Sequence, residues 1–135
     1  MNNPPPPSTA PPRRILVVDD ANAVAETIQA MLSELGHAVE VSGDGQDALS
    51  RFAPGKYDLI ITDYSMPKMN GLELARAIKK RAVGQLILLV TAFTFTLAAD
   101  DNQPLPVDFV LPKPFQMKEL HEAIARLFLT AAKVK

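Results

Sequence analysis

The sequence predicts an α/β fold in which helices cover both faces of a parallel β-sheet. Short apolar runs of strand length alternate with segments whose apolar residues recur at helical spacing. The runs contain few polar residues, a pattern typical of strands that are buried on both faces of a parallel sheet. A length of 135 residues suits one domain with its own core.

In the first half of the folded region, strands and helices alternate in chain order. Residues 13–19 form a near-continuous apolar run and predict the first strand. Gly36 closes the first helix, whose apolar stripe is formed by Val24, Ile28, Met31, Leu32 and Leu35. Residues 39–41 alternate apolar and polar side chains, as in a strand. A short helix is predicted over residues 48–52 and stops at Pro54.

The second half continues the alternation. Residues 57–62 predict a third, buried strand, and residues 66–71 form a loop. Asn70 is the predicted N-cap of a third helix, whose apolar residues are Leu72, Ala75 and Ile78. Two further strands are predicted at residues 85–90 and 109–111. The chain closes with an amphipathic helix, whose apolar residues are Met117, Leu120, Ile124, Leu127 and Phe128.

The segment between the fourth and fifth strands departs from this pattern. A parallel sheet needs a helical crossover there. Residues 93–106 instead combine β-branched and aromatic side chains with Asp, Asn, Pro104 and Pro106. We therefore expect the fourth helix of the fold to be short or irregular, with one or two turns near residues 97–101 at best.

The ends of the chain differ from the folded region. Half of the 12 prolines lie within the first 12 residues, which have almost nothing to bury. Residues 1–12 are therefore predicted to be a flexible Pro-rich tail. The folded domain is predicted to span residues 13–132, followed by a C-terminal tail at 133–135.

Composition excludes several functions. The formal net charge of −1 gives no long-range attraction to nucleic acid or to an anionic membrane. The absence of cysteine excludes disulfides and thiolate chemistry. No apolar run approaches the roughly 20 residues of a membrane helix, and the N-terminus lacks the apolar stretch of a signal peptide. We expect a cytoplasmic protein that neither inserts into a membrane nor binds nucleic acid.

Polar residues stand at the ends of the predicted strands. Asp19 and Asp20 follow the first strand, Asp63 the third, Thr91 the fourth and Lys113 the fifth. The carboxyl ends of parallel strands line one crevice, so these side chains are expected to meet there. Such a set suits a divalent cation, which carboxylates hold, and a phosphoryl group, which an Asp carboxylate can accept as an acyl phosphate.

Four motifs in chain order carry a resemblance to a known family. They are ILVVDD at residues 15–20, ITDYSMPKMNGLEL at 61–74, VTA at 90–92 and LPKPF at 111–115. Together they resemble the receiver domain of two-component response regulators, over residues 13–132. The resemblance implies a flavodoxin-like, doubly wound, five-stranded parallel sheet of strand order 2-1-3-4-5.

The resemblance also implies a function. A histidine kinase or a histidine phosphotransfer protein would donate a phosphoryl group, and no small-molecule turnover is expected. Because the sequence carries no predicted output domain, we expect a stand-alone receiver that signals by docking to another protein or by phosphorelay. A receiver that is part of a longer protein would have the same sequence features. The kinase and the downstream target are not specified by the sequence.

Roles for single residues follow from the resemblance. Asp63 is similar to the phosphoacceptor, Thr91 to the switch hydroxyl and Lys113 to the lysine that contacts phosphate. The implied ligands of Mg²⁺ or Mn²⁺ are Asp20, Asp63, the Ser65 backbone carbonyl and, through water, Asp19. The Lys113–Pro114 peptide bond is cis in this family.

Two positions depart from the family pattern. Receivers usually carry Tyr or Phe three residues before the lysine, where this chain has Val110. Phe109 cannot simply replace it, because adjacent strand residues point to opposite faces. Phe93 lies two residues after Thr91, and its ring is expected to shield phosphorylated Asp63 from water and slow its hydrolysis. We expect an altered output surface around residues 93–110.

Three other functions fit these residues less well. A small-molecule phosphatase would share the Asp nucleophile but would place Asp-x-Asp after the first strand and carry a capping insertion, and this chain has neither. A receiver-like binding module that is never phosphorylated agrees with Val110 but not with Asp20, Asp63 and Lys113. A flavin-binding protein lacks support, because no Ser/Thr/Gly-rich phosphate loop follows the first strand.

Overall fold

The sheet has the predicted topology. The computed structural model describes residues 12–92 and 105–134. Within these residues it contains one parallel sheet of order β2-β1-β3-β4-β5. Its strands are β1 (Arg14–Val18), β2 (Ala38–Ser42), β3 (Leu59–Asp63), β4 (Leu86–Thr91) and β5 (Phe109–Pro112). The flavodoxin-like, doubly wound order 2-1-3-4-5 is confirmed.

Helices cover both faces of this sheet. Those in the described ranges are α1 (Asn22–Glu34), α2 (Gly45–Arg51), α3 (Gly71–Arg81) and α4 (Met117–Val134). Helices α1 and α4 pack on one face, and α2 and α3 pack on the other. Along β1, Ile15 and Val17 belong to the first layer, whereas Leu16 and Val18 belong to the second. This burial on both faces explains the near-continuous apolar runs in the sequence.

Two helix ends form as the sequence predicts. Gly36 follows α1 with φ 98°, and the His37 N–H donates to the Leu32 carbonyl at 3.2 Å. A glycine in the left-handed region is the common way to end a helix. At the start of α3, the Asn70 side chain accepts from the Glu73 N–H and the Glu73 carboxylate accepts from the Asn70 N–H, both at 2.9 Å. This capping box fixes where α3 begins, directly after the loop that follows β3.

The apolar stripe predicted for α1 is partly wrong. Val24 and Leu35 are each 38% exposed, and the buried residues of the helix are Ala25, Ile28 and Leu32. The core-facing side is therefore rotated toward Ala25, a small residue that the stripe omitted. Val24 lies at the edge of the helix that faces solvent, near the end of the sheet where β1 finishes.

The last helix is longer than predicted. Helix α4 continues to Val134, two residues into the segment predicted to be a C-terminal tail. Its apolar stripe ends at Phe128, but Ala131 and Ala132 are strong helix formers and extend it.

The predicted turns at residues 97–101, together with Phe93 and Pro104, lie outside the described residues, as do residues 1–11 of the predicted tail.

The register of β5 is fixed at its start. The Asp108 N–H donates to the Ile87 carbonyl at 2.8 Å, and the Asp108 carboxylate accepts from the Ile87 N–H at 2.8 Å. The Lys79 ammonium group lies 2.9 Å from the same carboxylate oxygen. β5 then pairs residue by residue with β4, from Leu88–Phe109 onward. This register places Lys113, the next residue after β5, beside the end of β4.

Candidate functional site

The three predicted acids meet at the carboxyl end of the sheet. Asp63 is the last residue of β3, and Asp19 and Asp20 follow β1 directly. Because Val18 is paired with Thr62, Asp19 lies beside Asp63. One carboxylate oxygen from each of the three acids lies within 4.8 Å of the others. The parallel register thus converts two separate sequence motifs into one carboxylate cluster.

This carboxylate cluster is only partly exposed. Asp19 is 4% exposed and Asp63 is 6% exposed, whereas Asp20 faces solvent. Burial raises the pKa of Asp19. The Ala21 N–H, which donates to Asp19 at 2.9 Å, lowers this pKa, and the neighbouring Asp63 carboxylate raises it. The net effect is a raised pKa. The site therefore disfavours the ionised form of Asp19 and would favour a bound cation.

Lys113 supplies positive charge to this cluster. Its ammonium group lies 2.8 Å from Oδ1 of Asp63, and the Asp63 side chain is 7% exposed. The Lys113 N–H donates to the Thr91 carbonyl at 2.9 Å, which ties the two strand ends together. Thr91 is buried at the end of β4. The Lys113–Pro114 bond is cis, as the resemblance predicted.

Ser65 lies two residues beyond Asp63 in the loop between β3 and α3, and it is exposed. The loop makes a tight turn in which the Met69 N–H donates to the Pro67 carbonyl at 2.7 Å and Lys68 adopts φ 72°. This turn brings the chain to the N-cap of α3. Ligation of a metal by the Ser65 carbonyl stays a prediction.

Gly71 is a functional position that the sequence alone did not indicate. It is the first residue of α3, and a Cβ placed on it would overlap the Asp63 carbonyl oxygen and lie 2.7 Å from Cδ1 of Leu89. Its N–H donates to the Tyr64 carbonyl at 2.9 Å. The helix can approach the strand that carries Asp63 only because this residue has no side chain. The glycine at the start of a helix was the available signal.

The structure confirms that Phe109 does not replace the missing aromatic residue. β4 and β5 pair without interruption, from Leu88–Phe109 to Thr91–Pro112. Phe109 packs in the layer of α1 and α4. Val110 packs on the opposite face, against Leu72 and Leu89. Phe93, the residue expected to shield the phosphoryl group, lies outside the described residues.

The donor set fits a hard divalent cation. Mg²⁺ and Mn²⁺ prefer oxygen ligands, and Mg²⁺ is usually held by one or two carboxylates with the remaining positions left to water or phosphate oxygens. The cluster of Asp19, Asp20 and Asp63 offers carboxylate oxygens within 4.8 Å of one another, two of them from buried residues. A cation of this kind would offset the repulsion among the three acids.

We expect Asp19→Asn to raise the free energy of unfolding at neutral pH by about 1 kcal/mol when divalent cations are chelated. The folded state raises the pKa of Asp19 above 3.8. Ionised Asp19 therefore lowers the free energy of unfolding. This destabilisation is absent below pH 3.8, the ordinary pKa of the carboxyl, and becomes complete as the pH rises through the pKa of the folded state. The same substitution should remove most of the stabilisation that Mg²⁺ gives to the wild type.

Urea denaturation in EDTA and in Mg²⁺, at pH 4 and pH 7, measures both effects. Glu122→Gln, on the exposed surface of α4, is the control and should change neither. An Asp19→Asn protein that is less stable than the wild type in EDTA at pH 7 would contradict this interpretation of the cluster.

Comparison with known proteins agrees with these observations. The model of the response regulator receiver domain family matches residues 15–125. The transcriptional regulatory protein DltR of Streptococcus agalactiae is 35% identical over 105 residues, which cover 78% of this chain and 47% of DltR. The response regulator MprA of Mycolicibacterium vanbaalenii is 38% identical over 105 residues, covering 78% of this chain and 46% of MprA. The chain thus spans about half the length of these curated relatives.

Solved structures show the same fold. The response regulator TrrA of Thermotoga maritima, solved in complex with Mg²⁺–BeF, is 36% identical with a TM-score of 0.77, covering 85% of this chain and 98% of TrrA. A CheY-like receiver domain protein of Methanospirillum hungatei is 25% identical with a TM-score of 0.79, covering 93% of this chain and all of that chain (100%).

In the part of the chain that the structure describes, no helix has the length and apolar character needed to cross a membrane.

Proposed function

Because the chain belongs to the response regulator receiver domain family, we propose that Asp63 accepts a phosphoryl group from a phosphohistidine in a Mg²⁺-dependent reaction. The donor would be a histidine kinase or a histidine phosphotransfer protein. The observation that carries the proposal is the Lys113 ammonium group held 2.8 Å from the buried Asp63 carboxylate, inside a cluster of three acids. Three crowded carboxylates, two of them from buried residues, are unfavourable in a sheet unless a cation is bound there.

The chain's own residues have distinct parts in the transfer. An Asp63 carboxylate oxygen attacks phosphorus, the P–N bond to the donor imidazole breaks, and its electron pair stays on that nitrogen. The product is an acyl phosphate on Asp63. Lys113 then moves its contact from the carboxylate to a phosphoryl oxygen, and the Thr91 hydroxyl donates to another.

The metal would be Mg²⁺ or Mn²⁺, held by Asp19, Asp20, Asp63 and the Ser65 carbonyl. When bound, such an ion disperses the negative charge of the carboxylates and of the phosphoryl oxygens. Burial of Asp19 and Asp63 keeps competing water away from two of the three acids.

The consequence of phosphorylation would be signalling rather than turnover of a small molecule. We propose that the phosphorylated domain docks to another protein or passes its phosphoryl group onward, without binding nucleic acid itself. A cytoplasmic location, where a histidine kinase could reach it, is part of the same proposal. The separation into a tail at residues 1–12 and a receiver at 13–132 stays a prediction.

Asp63→Asn is expected to abolish phosphoryl uptake from acetyl phosphate in Mg²⁺, because the nucleophilic oxygen is replaced by an amide. Intact-mass spectrometry measures the fraction of protein that carries one phosphoryl group. Asp58→Asn is the matched control, since Asp58 precedes β3 and lies at its opposite end, beside Arg14. The control should be phosphorylated like the wild type.

Two results would overturn the proposal. One is a wild-type protein that takes up no phosphoryl group while a known receiver does so under the same conditions. The other is an Asp63→Asn protein that is still phosphorylated at the wild-type level. The first result would favour the alternative of a receiver-like module that is never phosphorylated.

A further inference from the structure

A third, small apolar cluster lies beside the site, at the carboxyl end of β4. Leu72 of α3 and Leu89 of β4 are buried at its centre. Four half-buried side chains pack against these two leucines: Tyr64, Leu105, Val107 and Val110. We call this set the Tyr64 cluster. Val107 also packs against the larger core on the α2 and α3 face, so the Tyr64 cluster adjoins that layer.

Tyr64 joins this cluster to the phosphoacceptor. It follows Asp63 in the chain, and its backbone is held on both sides. Its N–H donates to the Val90 carbonyl at 2.9 Å, and its carbonyl accepts from the Gly71 N–H at 2.9 Å. These two bonds fix the Tyr64 backbone between the end of β4 and the start of α3.

The other members of the cluster lie on the far side of β4. Leu105 and Val107 stand where the described chain resumes before β5, and Val110 lies within β5. Val110 has no aromatic ring to contribute to the cluster. Within the described residues, the aromatic ring that packs on Leu72 and Leu89 comes from Tyr64.

The cluster therefore spans the gap between the reacting carboxylate and the edge of the sheet. A phosphoryl group adds close to two negative charges and three hydrogen-bonding oxygens. Here they would be added one residue from the Tyr64 ring. Close-packed side chains respond to such a change by moving between discrete arrangements rather than by deforming smoothly.

We infer that Tyr64 couples the phosphorylation state of Asp63 to the segment from Leu105 to Val110. The ring changes its environment when Asp63 is phosphorylated, and its contacts with Leu72 and Leu89 transmit the change to Val107 and Val110. This inference rests on the proposed function. It adds the residue that transmits the phosphorylation state of Asp63 to β5. Tyr64 is thus a positioning residue for the output, not a catalytic residue.

Tyrosine fluorescence tests the first step. The chain has two tyrosines and no tryptophan. Tyr57 packs in the layer of α2 and α3, and its hydroxyl donates to Glu40 at 2.7 Å. A Tyr57→Phe protein therefore reports Tyr64 alone, and a Tyr64→Phe protein reports Tyr57 alone. With acetyl phosphate and Mg²⁺, the Tyr64 emission should change in proportion to the phosphorylated fraction found by mass, whereas the Tyr57 emission should not.

Hydrogen exchange tests the second step. We expect phosphorylation to change amide exchange in a peptide covering residues 105–112 of the wild type. Tyr64→Phe, which keeps the ring, should retain this response. Tyr64→Ala, which removes the ring but leaves Asp63 intact, should lose most of it while still taking up the phosphoryl group.

The outcomes separate the inference from the proposed function. No phosphoryl group on the wild type would overturn both. Normal phosphorylation with unchanged Tyr64 emission, or with a full exchange response in Tyr64→Ala, would overturn the coupling role alone. If Tyr64→Ala does not fold, the Tyr57→Phe fluorescence decides, because that protein keeps the Tyr64 cluster intact.

Discussion

Lys113→Met is expected to slow phosphoryl transfer to Asp63 by about 100- to 1000-fold, the scale seen when one preorganised charge stabiliser is removed from a site. The ammonium group lies 2.8 Å from the Asp63 carboxylate, and the Lys113 N–H, which donates to the Thr91 carbonyl at 2.9 Å, holds the backbone at the end of β5. No other lysine or arginine of the described residues forms an ion pair with Asp63. The substitution therefore removes the positive charge that meets the phosphoryl oxygens.

The rate is measured by intact mass at a fixed concentration of acetyl phosphate and saturating Mg²⁺. Lys118→Met, an exposed lysine on α4, is the control and should react at the wild-type rate. Circular dichroism should show that both proteins are folded. The Lys113 side chain is 33% exposed, so methionine can take its place without disrupting the core. A Lys113→Met protein that reacts within threefold of the wild type would remove Lys113 from the mechanism.

Gly71→Ala is expected to lower the free energy of unfolding by about 2–3 kcal/mol, although alanine usually stabilises a helix relative to glycine. The added Cβ would overlap the Asp63 carbonyl oxygen and press on Cδ1 of Leu89 at 2.7 Å. Both neighbours are held in the sheet and cannot move away freely. We also expect weaker binding of Mg²⁺, because Asp63 is displaced.

Chemical denaturation and a Mg²⁺ titration measure these two effects. Gly84→Ala is the matched control, since a Cβ at Gly84 meets no heavy atom within 4 Å. Its stability should stay within about 0.5 kcal/mol of the wild type. If Gly71→Ala and Gly84→Ala were equally stable, the close approach of α3 to Asp63 would have no energetic importance.

The parts of the site that lie at strand ends could be predicted from the sequence. Buried parallel strands have a strong apolar signature, and their order brings Asp19, Asp63 and Lys113 to one edge by geometry alone. The N-cap at Asn70 was likewise predicted, and the structure adds its reciprocal bond with Glu73, three residues later. These features depend on local pattern or on topology.

Features that depend on packing between distant residues were predicted wrongly or were not predicted. The stripe of α1 was misplaced because Ala25 carries a weak apolar signal, although it is fully buried. The need for glycine at position 71 arises from the close approach of α3 to Asp63, which the sequence shows only as a glycine at the start of a helix. The packing of Tyr64 and Val110 on the same two leucines depends on the register of three separate elements.

Asp63 is the proposed nucleophile of this site. The most direct measurement is borohydride reduction of the phosphorylated protein, which converts an aspartyl phosphate to homoserine, followed by peptide mass mapping. We predict homoserine at position 63 alone, and only in samples that contained Mg²⁺ or Mn²⁺. Homoserine at position 19 or 20, or a phosphorylated protein with none at position 63, would contradict the assignment.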